Sequence, residues 1–367
     1  MAKQAVLLLA HGTPETVEQI PDYLRNVVSG RPMPQHVIEE IQHRYSLIGR
    51  SPLTELTMEQ ARLVEAELAA SGEHVRVYVG MRNWKPYIPD VVREMHADGV
   101  EEAAVICLAP QNSRTSVGLY KRAVQAEAGA LRIDFTDGWA RDPLLADAFA
   151  ERLRPVLKKL KAETGDPVPV LFTAHSVPAR TVQTPAAESV GSAPPQPRLW
   201  PGEGADPYAE EAKHTAELVA ERVPEISRWW FAFQSQGASG GPWIGPTVEE
   251  TLKGIAEARV KTLVLQPIGF LCDHVEILYD VDIAFRQCAA ELGIRLERLN
   301  GRAGQRPSPG PTPHEQARRR GMAPARLDWR AVHRFRLDRA GRPAVLQLNL
   351  PLARMPPGHA RIGRAAS

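Results

Sequence analysis

The sequence predicts an α/β protein built from two Rossmann-like halves, each a parallel sheet flanked by helices, with a ligand cleft between them (a chelatase-like arrangement). Short apolar strands alternate with amphipathic helices of about ten or more residues, which is typical of βαβ units. An apolar run that ends in Ala, His, a small residue, one further residue and Pro occurs at 6–14 and again at 170–178. The repeated phrase indicates a duplicated architecture.

The length of the chain sets the expected domain organisation. With 367 residues it exceeds what one hydrophobic core usually supports. We expect an N-terminal half over 1–160, a C-terminal half that carries the chemistry over 161–300, and a tail over 301–367. No apolar run approaches the roughly eighteen residues of a membrane span, and the first strand begins at once, without a signal peptide. These features predict a cytoplasmic protein.

The N-terminal half alternates helices and strands after its first strand. Breaks at Gly-Arg-Pro and Gly-Arg-Ser-Pro separate the helical runs. The predicted elements are helices over 14–28, 35–48, 58–70 and 88–98, and strands over 75–80 and 103–108.

The C-terminal half repeats this pattern. A Ser-, Gly- and Pro-containing loop or insert over 186–206 precedes a helix that opens at Pro207. The other predicted elements are strands over 229–233, 262–266 and 295–300 and a helix over 247–258. Because ligands bind beyond the carboxyl ends of parallel strands, we expect His11 and His175 to border the cleft.

His175 and Glu276 are the candidate chemical groups. Pro178 cannot continue a ladder, so His175 falls where a buried strand becomes a loop; the alternative is a turn histidine. Asp273 and Glu276 are spaced as in a capping box, which predicts a helix that starts at Asp273 and leaves Glu276 either a cap or a ligand. Glu276 and Asp280 form a like-charge pair that needs compensation. An imidazole and a carboxylate at one cleft suit Fe(II), Co(II) or Zn(II), and either can accept a proton.

Two segments resemble the signature pair of the ferrochelatase family. Residues 171–178 read Leu-Phe-Thr-Ala-His-Ser-Val-Pro, and residues 269–280 read Gly-Phe-Leu-Cys-Asp-His-Val-Glu-Ile-Leu-Tyr-Asp. Residues 44–53 and 109–120 also resemble family segments, and the resemblance covers about residues 4–300. It implies insertion of ferrous iron into a porphyrin during haem biosynthesis, on two Rossmann-like halves with the macrocycle in the cleft.

The resemblance also implies roles for single residues. His175 would be the proton acceptor or a metal ligand, and Glu276 its counterpart across the ring, with the division of roles open. Asp280 would continue an acidic lane for protons or cations, which is shortened because the next position on that face is Ala284. Iron is then a substrate, and neither a tightly bound cofactor nor an iron–sulfur cluster is expected.

For the porphyrin, the resemblance implies a set of contact residues: His11, Arg44, Tyr45, Ser51 and Tyr120. A cation and hydroxyls suit carboxylates, and aromatic faces suit the ring. His11 and Val28 stand where the coproporphyrin-using branch often has tyrosine and arginine. Protoporphyrin IX and coproporphyrin III both stay open, and the Arg-Tyr and Ser-Pro-Leu pattern favours the second.

Two other functions stay open. A cobalt or sirohydrochlorin chelatase shares the duplicated fold, but the Gly-Phe-x-x-Asp-His-x-Glu run favours iron. A non-catalytic tetrapyrrole carrier would need no base, so His175 together with Glu276 argues against it. The expected partners are porphyrin and ferrous iron and no nucleic acid. The sequence leaves open a transient contact with a membrane or a haem acceptor, and the oligomeric state.

The tail differs from the body in charge. Residues 301–367 hold fourteen Arg, no Lys and three acidic residues, a net charge of +11, so residues 1–300 carry −9 of the total of +2. Its nine prolines and lack of periodicity predict disorder. An out-of-frame reading of GC-rich DNA would also produce this composition, and a tail peptide found by mass spectrometry would refute that hypothesis. The three cysteines, Cys107, Cys272 and Cys288, are widely spaced and predict reduced thiols.

Overall fold

A computed structural model describes residues 3–182, 206–236 and 242–298, together with two short strands in the tail. The N-terminal elements are β1 (Gln4–Ala10), a 3-10 turn (Val17–Gln19), α1 (Ile20–Val27), α2 (Gln35–Ile48), α3 (Leu53–Ala70), β2 (Arg76–Met81), α4 (Ile88–Ala97), β3 (Glu102–Cys107), α5 (Val117–Glu127) and β4 (Arg132–Thr136). The later elements are α6 (Pro143–Thr164), β5 (Val170–His175), α7 (Ala179–Val182), α8 (Tyr208–Arg222), β6 (Trp229–Gln234), α9 (Val248–Glu257), β7 (Thr262–Pro267), a π-helical segment (Ile277–Phe285), α10 (Arg286–Glu291), β8 (Arg295–Arg298), β9 (Arg336–Leu337) and β10 (Pro343–Ala344).

The two large sheets have the same strand order. The first runs β2-β1-β3-β4 and the second β6-β5-β7-β8, and every pair within them is parallel. Strands β1 and β5 therefore hold equivalent central positions, and the residues that follow them leave their sheets at equivalent edges. The predicted fold class of two Rossmann-like halves is confirmed.

The apolar run in β1 reflects burial on both faces of its sheet. Leu7 and Leu9 pack into the core formed with α4 and α5, whereas Val6 and Leu8 pack on the opposite face against α3. Burying each of these side chains contributes about 1.5–3 kcal/mol relative to leaving it in water. A strand that is covered on both sides carries no polar alternation, which is why the sequence pattern locates it well.

Helix α6 belongs to the core of the second sheet. Its residues Leu145, Phe149 and Leu153 are buried in one cluster with Phe172 of β5. The expected division between residues 160 and 161 falls inside this helix.

Several boundaries differ from the sequence prediction. The predicted helix over 14–28 is divided into a 3-10 turn and α1, which carries Pro21 near its start, where proline is tolerated. Helix α3 begins at Leu53, directly after Pro52, and not at residue 58. Elements α5, β4 and α6 were not predicted.

Two sequence predictions concern residues that are largely outside the described part of the chain. These are the loop or insert over 186–206, of which Asp206 is described, and the disordered tail over 301–367. In the tail, β9 and β10 form an antiparallel pair. Among the described residues, no helix is both long and apolar enough to cross a membrane. All three cysteines lie in the described part and are free thiols.

Candidate active site

The carboxyl ends of both sheets face one cleft of about 370 Å³. His11 follows β1, and His175 is the last residue of β5, so the repeated phrase delivers one imidazole from each half. Four of the residues proposed from the sequence line this cleft: His11, Tyr120, His175 and Glu276.

His175 and Glu276 form a hydrogen-bonded pair, so they lie on the same side of the cleft and the expectation that Glu276 faces His175 across the ring is wrong. Nε2 of His175 lies 3.0 Å from Oε1 of Glu276, and Nδ1 of the same ring contacts the carbonyl oxygen of Ser176. Both ring nitrogens face acceptors, so the geometry is that of an imidazolium that donates twice. The Tyr208 hydroxyl donates to the backbone carbonyl of His175 at 2.8 Å and helps to fix the strand end.

The same contacts shift the pKa values of both groups. Burial acts to lower the pKa of His175, but the charge of Glu276 and the hydrogen bonds to Glu276 and Ser176 together raise it to about 9. Burial acts to raise the pKa of Glu276, but the charge and hydrogen bond of His175 lower it to about 2. At neutral pH the resting pair is therefore an imidazolium and a carboxylate.

The element that carries Glu276 is not the helix that the capping-box pattern predicts. Helical geometry starts at Val275 and becomes π-helical from Ile277, so the prediction of a helix start at Asp273 is wrong. The physical reason is that the Asp273 carboxylate is bonded to Arg298 at 2.9 Å and is not a cap. Glu276 likewise uses its carboxylate on His175.

His274 supports the backbone beside this pair. Its Nδ1 accepts the N–H of Glu276 at 3.3 Å, and its ring packs on Phe270 with centroids 4.2 Å apart. Burial is the main cause that lowers the pKa of His274. The ring is therefore neutral and carries its proton on Nε2, which is buried and has no hydrogen-bond partner among the described residues.

Asp280 lies on the same π-helical segment and meets the other half of the protein. Its carboxylate accepts the Ser235 hydroxyl and lies 3.4 Å from the Arg44 guanidinium of α2. Burial and the negative charge of Glu276 raise the pKa of Asp280 to about 6, although Ser235 and Arg44 oppose the shift. This carboxyl can gain or lose a proton near neutral pH.

His11 lies on the opposite wall of the cleft and is a neutral histidine. Nε2 of His11 lies 3.0 Å from the Tyr23 hydroxyl and 3.0 Å from Nδ2 of Asn83. Burial, followed by the charge of Arg82, lowers the pKa of His11 to about 3. His11 and His175 thus occupy equivalent positions but differ in protonation.

Three of the predicted porphyrin contacts are not among the cleft-lining residues. Arg44 pairs with Glu40 and Asp280 and lies 4.8 Å from the centre of the Tyr279 ring. Tyr45 is buried, with its hydroxyl 2.8 Å from that of Thr13. Ser51 is buried, and its hydroxyl has no hydrogen-bond partner among the described residues.

Arg82 is a cleft residue that the sequence reasoning did not select. It follows β2, the neighbour of β1, and its guanidinium lies 5.4 Å from the centre of the Tyr120 ring. The signal was available, because a polar loop after a strand next to β1 must lie at the same sheet edge as His11.

Comparison with known proteins shows the family to which the chain belongs. The Ferrochelatase family model matches residues 3–304. A ferrochelatase of Acidobacterium capsulatum is 61% identical over 297 residues, which are 81% of this chain and 88% of that protein. A ferrochelatase of Deinococcus radiodurans is 38% identical, with 80% and 88% covered. A coproporphyrin III ferrochelatase of Geobacillus kaustophilus is 32% identical, with the same coverage of 80% and 88%.

Two equivalent sheets enclose an imidazole–carboxylate pair that suits the exchange of protons for a metal ion, and the relatives place the chain among the metal chelatases. The family match shows which kind of metal chelatase this is. The chain belongs to the ferrochelatase family, as the signature segments predicted.

Proposed function

We propose that the cleft inserts ferrous iron into a porphyrin as a step of haem biosynthesis. The observation that carries the proposal is the contact of 3.0 Å between His175 and Glu276 at the end of β5. The reaction takes Fe²⁺ and a porphyrin with two pyrrole N–H groups and yields the iron porphyrin and two protons. Both iron and porphyrin are substrates, so the site must handle a divalent cation and protons in turn.

The resting charge state determines which group acts first. With its pKa raised to about 9, His175 is protonated at pH 7 and cannot accept a proton. Glu276, with a pKa of about 2, carries the charge that a cation would neutralise. We therefore assign the first contact with Fe²⁺ to the Glu276 carboxylate.

Cation binding at Glu276 makes His175 a base. The carboxylate raises the pKa of His175, so a divalent cation on that carboxylate removes this support and adds repulsion. His175 then releases its proton, and its neutral ring can take a proton from a pyrrole nitrogen. In this order Glu276 receives the metal and His175 the proton.

Asp280 is the next proton acceptor along the same segment. Its pKa of about 6 allows it to accept a proton and release it to solvent at neutral pH. The second pyrrole proton needs such an acceptor, because His175 holds one proton at a time in this scheme.

For the substrate we favour coproporphyrin III over protoporphyrin IX. Support comes from relatives at 31% and 32% identity that are named for coproporphyrin III. The carrier alternative is disfavoured because a binding cleft has no need for a charged imidazole–carboxylate pair. Contacts with a membrane or a haem acceptor remain predictions from the sequence.

An anaerobic assay tests the proposal. Purified protein is mixed with Fe(II) and either porphyrin, and insertion is followed by absorbance. We expect turnover with wild type, faster with coproporphyrin III, and none with His175→Ala, which should still bind porphyrin. The matched control His214→Ala, a partly exposed histidine on α8, should turn over normally. Porphyrin binding without turnover in wild type would favour the carrier and overturn the proposal.

A further inference from the structure

A buried arginine on the last strand of the second sheet holds both ends of the catalytic segment. The Arg298 side chain on β8 is 4% exposed. Its Nη1 donates to Asp273 at 2.9 Å, while Nε and Nη2 donate to the two carboxylate oxygens of Asp282 at 2.7 and 2.5 Å. Three nitrogens of one planar group thus fix two carboxylates.

The two carboxylates enclose the reactive residues. Asp273 precedes the helical turn and Asp282 lies inside the π-helical segment, so His274, Glu276 and Asp280 all lie between them. In a regular α-helix, residues 273 and 282 would be about two and a half turns apart and would point to opposite sides. Asp273 instead precedes the helical turn and Asp282 lies in a π-helical segment, so α-helical spacing does not apply, and both carboxylates reach one guanidinium.

The contacts of Arg298 with Asp273 and Asp282, here called the clamp, lie on the side of the segment away from the main cleft. Arg298 and Asp273 line a small cavity with Phe270 and Ile277, whereas Glu276 and His274 line the main cleft. Arg298 therefore lies on the side of the segment away from the His175–Glu276 contact, and its effect on that contact is transmitted through the backbone between its two partners. A bidentate guanidinium pair restricts direction as well as distance, which an ammonium group cannot do.

We propose that Arg298 is a positioning residue for metal insertion, which holds the segment from Asp273 to Asp282 so that the Glu276 carboxylate meets His175. The expected effect on kcat rests on the proposed function. The expected effect on Co(II) binding rests on the geometry of the segment alone. A variant that keeps the positive charge but lacks the planar guanidinium should therefore lose turnover and metal affinity while it still binds porphyrin.

Arg298→Lys is the primary variant, because lysine keeps the charge between two buried carboxylates but cannot hold both in a planar fork. The matched control is Arg295→Lys on the same strand, whose side chain is 46% exposed and pairs with Glu163 and Glu297. We expect Arg298→Lys to lower kcat about tenfold, to leave the KM for porphyrin within about twofold, and to weaken binding of Co(II), used as a probe without porphyrin, about tenfold. Arg295→Lys should match wild type in all three.

A second variant covers the case in which Arg298→Lys does not fold. Asp282→Asn removes one charge at a residue whose side chain is 25% exposed and leaves the contact between Arg298 and Asp273; it should show the same pattern, more weakly. A folded variant with wild-type kcat and Co(II) affinity would overturn the inference, as would a loss of porphyrin affinity equal to the loss of kcat. If wild type binds Co(II) but inserts no iron, the proposed function fails, while the Co(II) affinities still test the clamp.

Discussion

Arg44 on α2 of the N-terminal half lies 3.4 Å from Asp280 on the π-helical segment of the C-terminal half. The contact joins the two halves beside the cleft and places a cation next to a carboxyl that titrates near pH 6. Arg44 was predicted to hold porphyrin carboxylates, yet its guanidinium pairs with the carboxylates of Glu40 and Asp280.

Removal of this cation should shift the pH dependence of iron insertion. Arg44 lowers the pKa of Asp280, so Arg44→Met should raise that pKa above about 6. Since Asp280 accepts a proton only as a carboxylate, the acid limb of the kcat profile should move to higher pH. The control is Arg50→Met, which removes an exposed arginine that pairs with Glu55. An unchanged acid limb in Arg44→Met would remove Asp280 from the proton route.

Loss of the Glu276 charge should lower the pKa of His175. In Glu276→Gln the carboxylate that raises this pKa is gone, so burial dominates and the value should fall well below about 9. A titration of the His175 ring by NMR measures this directly. Insertion should fall about a hundredfold, because the carboxylate assigned to receive Fe²⁺ is gone. A His175 pKa that stays near 9 would show that the two groups are not coupled in solution.

The ion pair should also affect stability within a defined pH window. The lowered pKa of Glu276 contributes stability that is present above about 4.5 and is lost as the pH falls toward 2. The raised pKa of His175 contributes stability that is present below about 6.5 and is lost as the pH rises toward 9. The difference in unfolding free energy between wild type and Glu276→Gln should therefore be largest between about pH 4.5 and 6.5. Urea titrations at pH 3.5, 5.5 and 8.5 test this, and a difference that does not vary with pH would contradict it.

Tyr45 should prove to be a structural residue. Its ring is buried with Ile20 and Leu24, and its hydroxyl bonds to Thr13. Tyr45→Phe leaves the Thr13 hydroxyl without this partner, which should cost about 1 kcal/mol of unfolding free energy. The KM for porphyrin should stay within about twofold of wild type, whereas Tyr120→Leu in the cleft wall should raise it. A large rise in KM for Tyr45→Phe would restore the predicted porphyrin contact.

The fold and the reactive pair were accessible from the sequence because local patterns carry them. A doubly buried strand reads as an apolar run, and Pro178 marks its end, so His175 could be placed at a sheet edge. The equivalence of His11 and His175 followed from a repeated phrase. All of these signals come from residues that are close together in the sequence.

The partners of charged residues were not accessible in the same way. Asp273 and Glu276 have the spacing of a capping box, but Arg298 and His175, distant in sequence, take their carboxylates instead. The same holds for Arg44, whose partner Asp280 is 236 positions away. Local spacing does not reveal such competition, and the π-helical segment likewise depends on tertiary contacts.

The equivalent positions of His11 and His175 give the cleft a sidedness. One imidazole has a pKa of about 3 and the other of about 9, although the same strand-end phrase produces both. A flat macrocycle between them would meet a neutral face on one side and an ionised face on the other. Under the proposed function, the two halves of a duplicated scaffold would thus differ in task, since iron would approach and protons would depart on the His175 side of the ring.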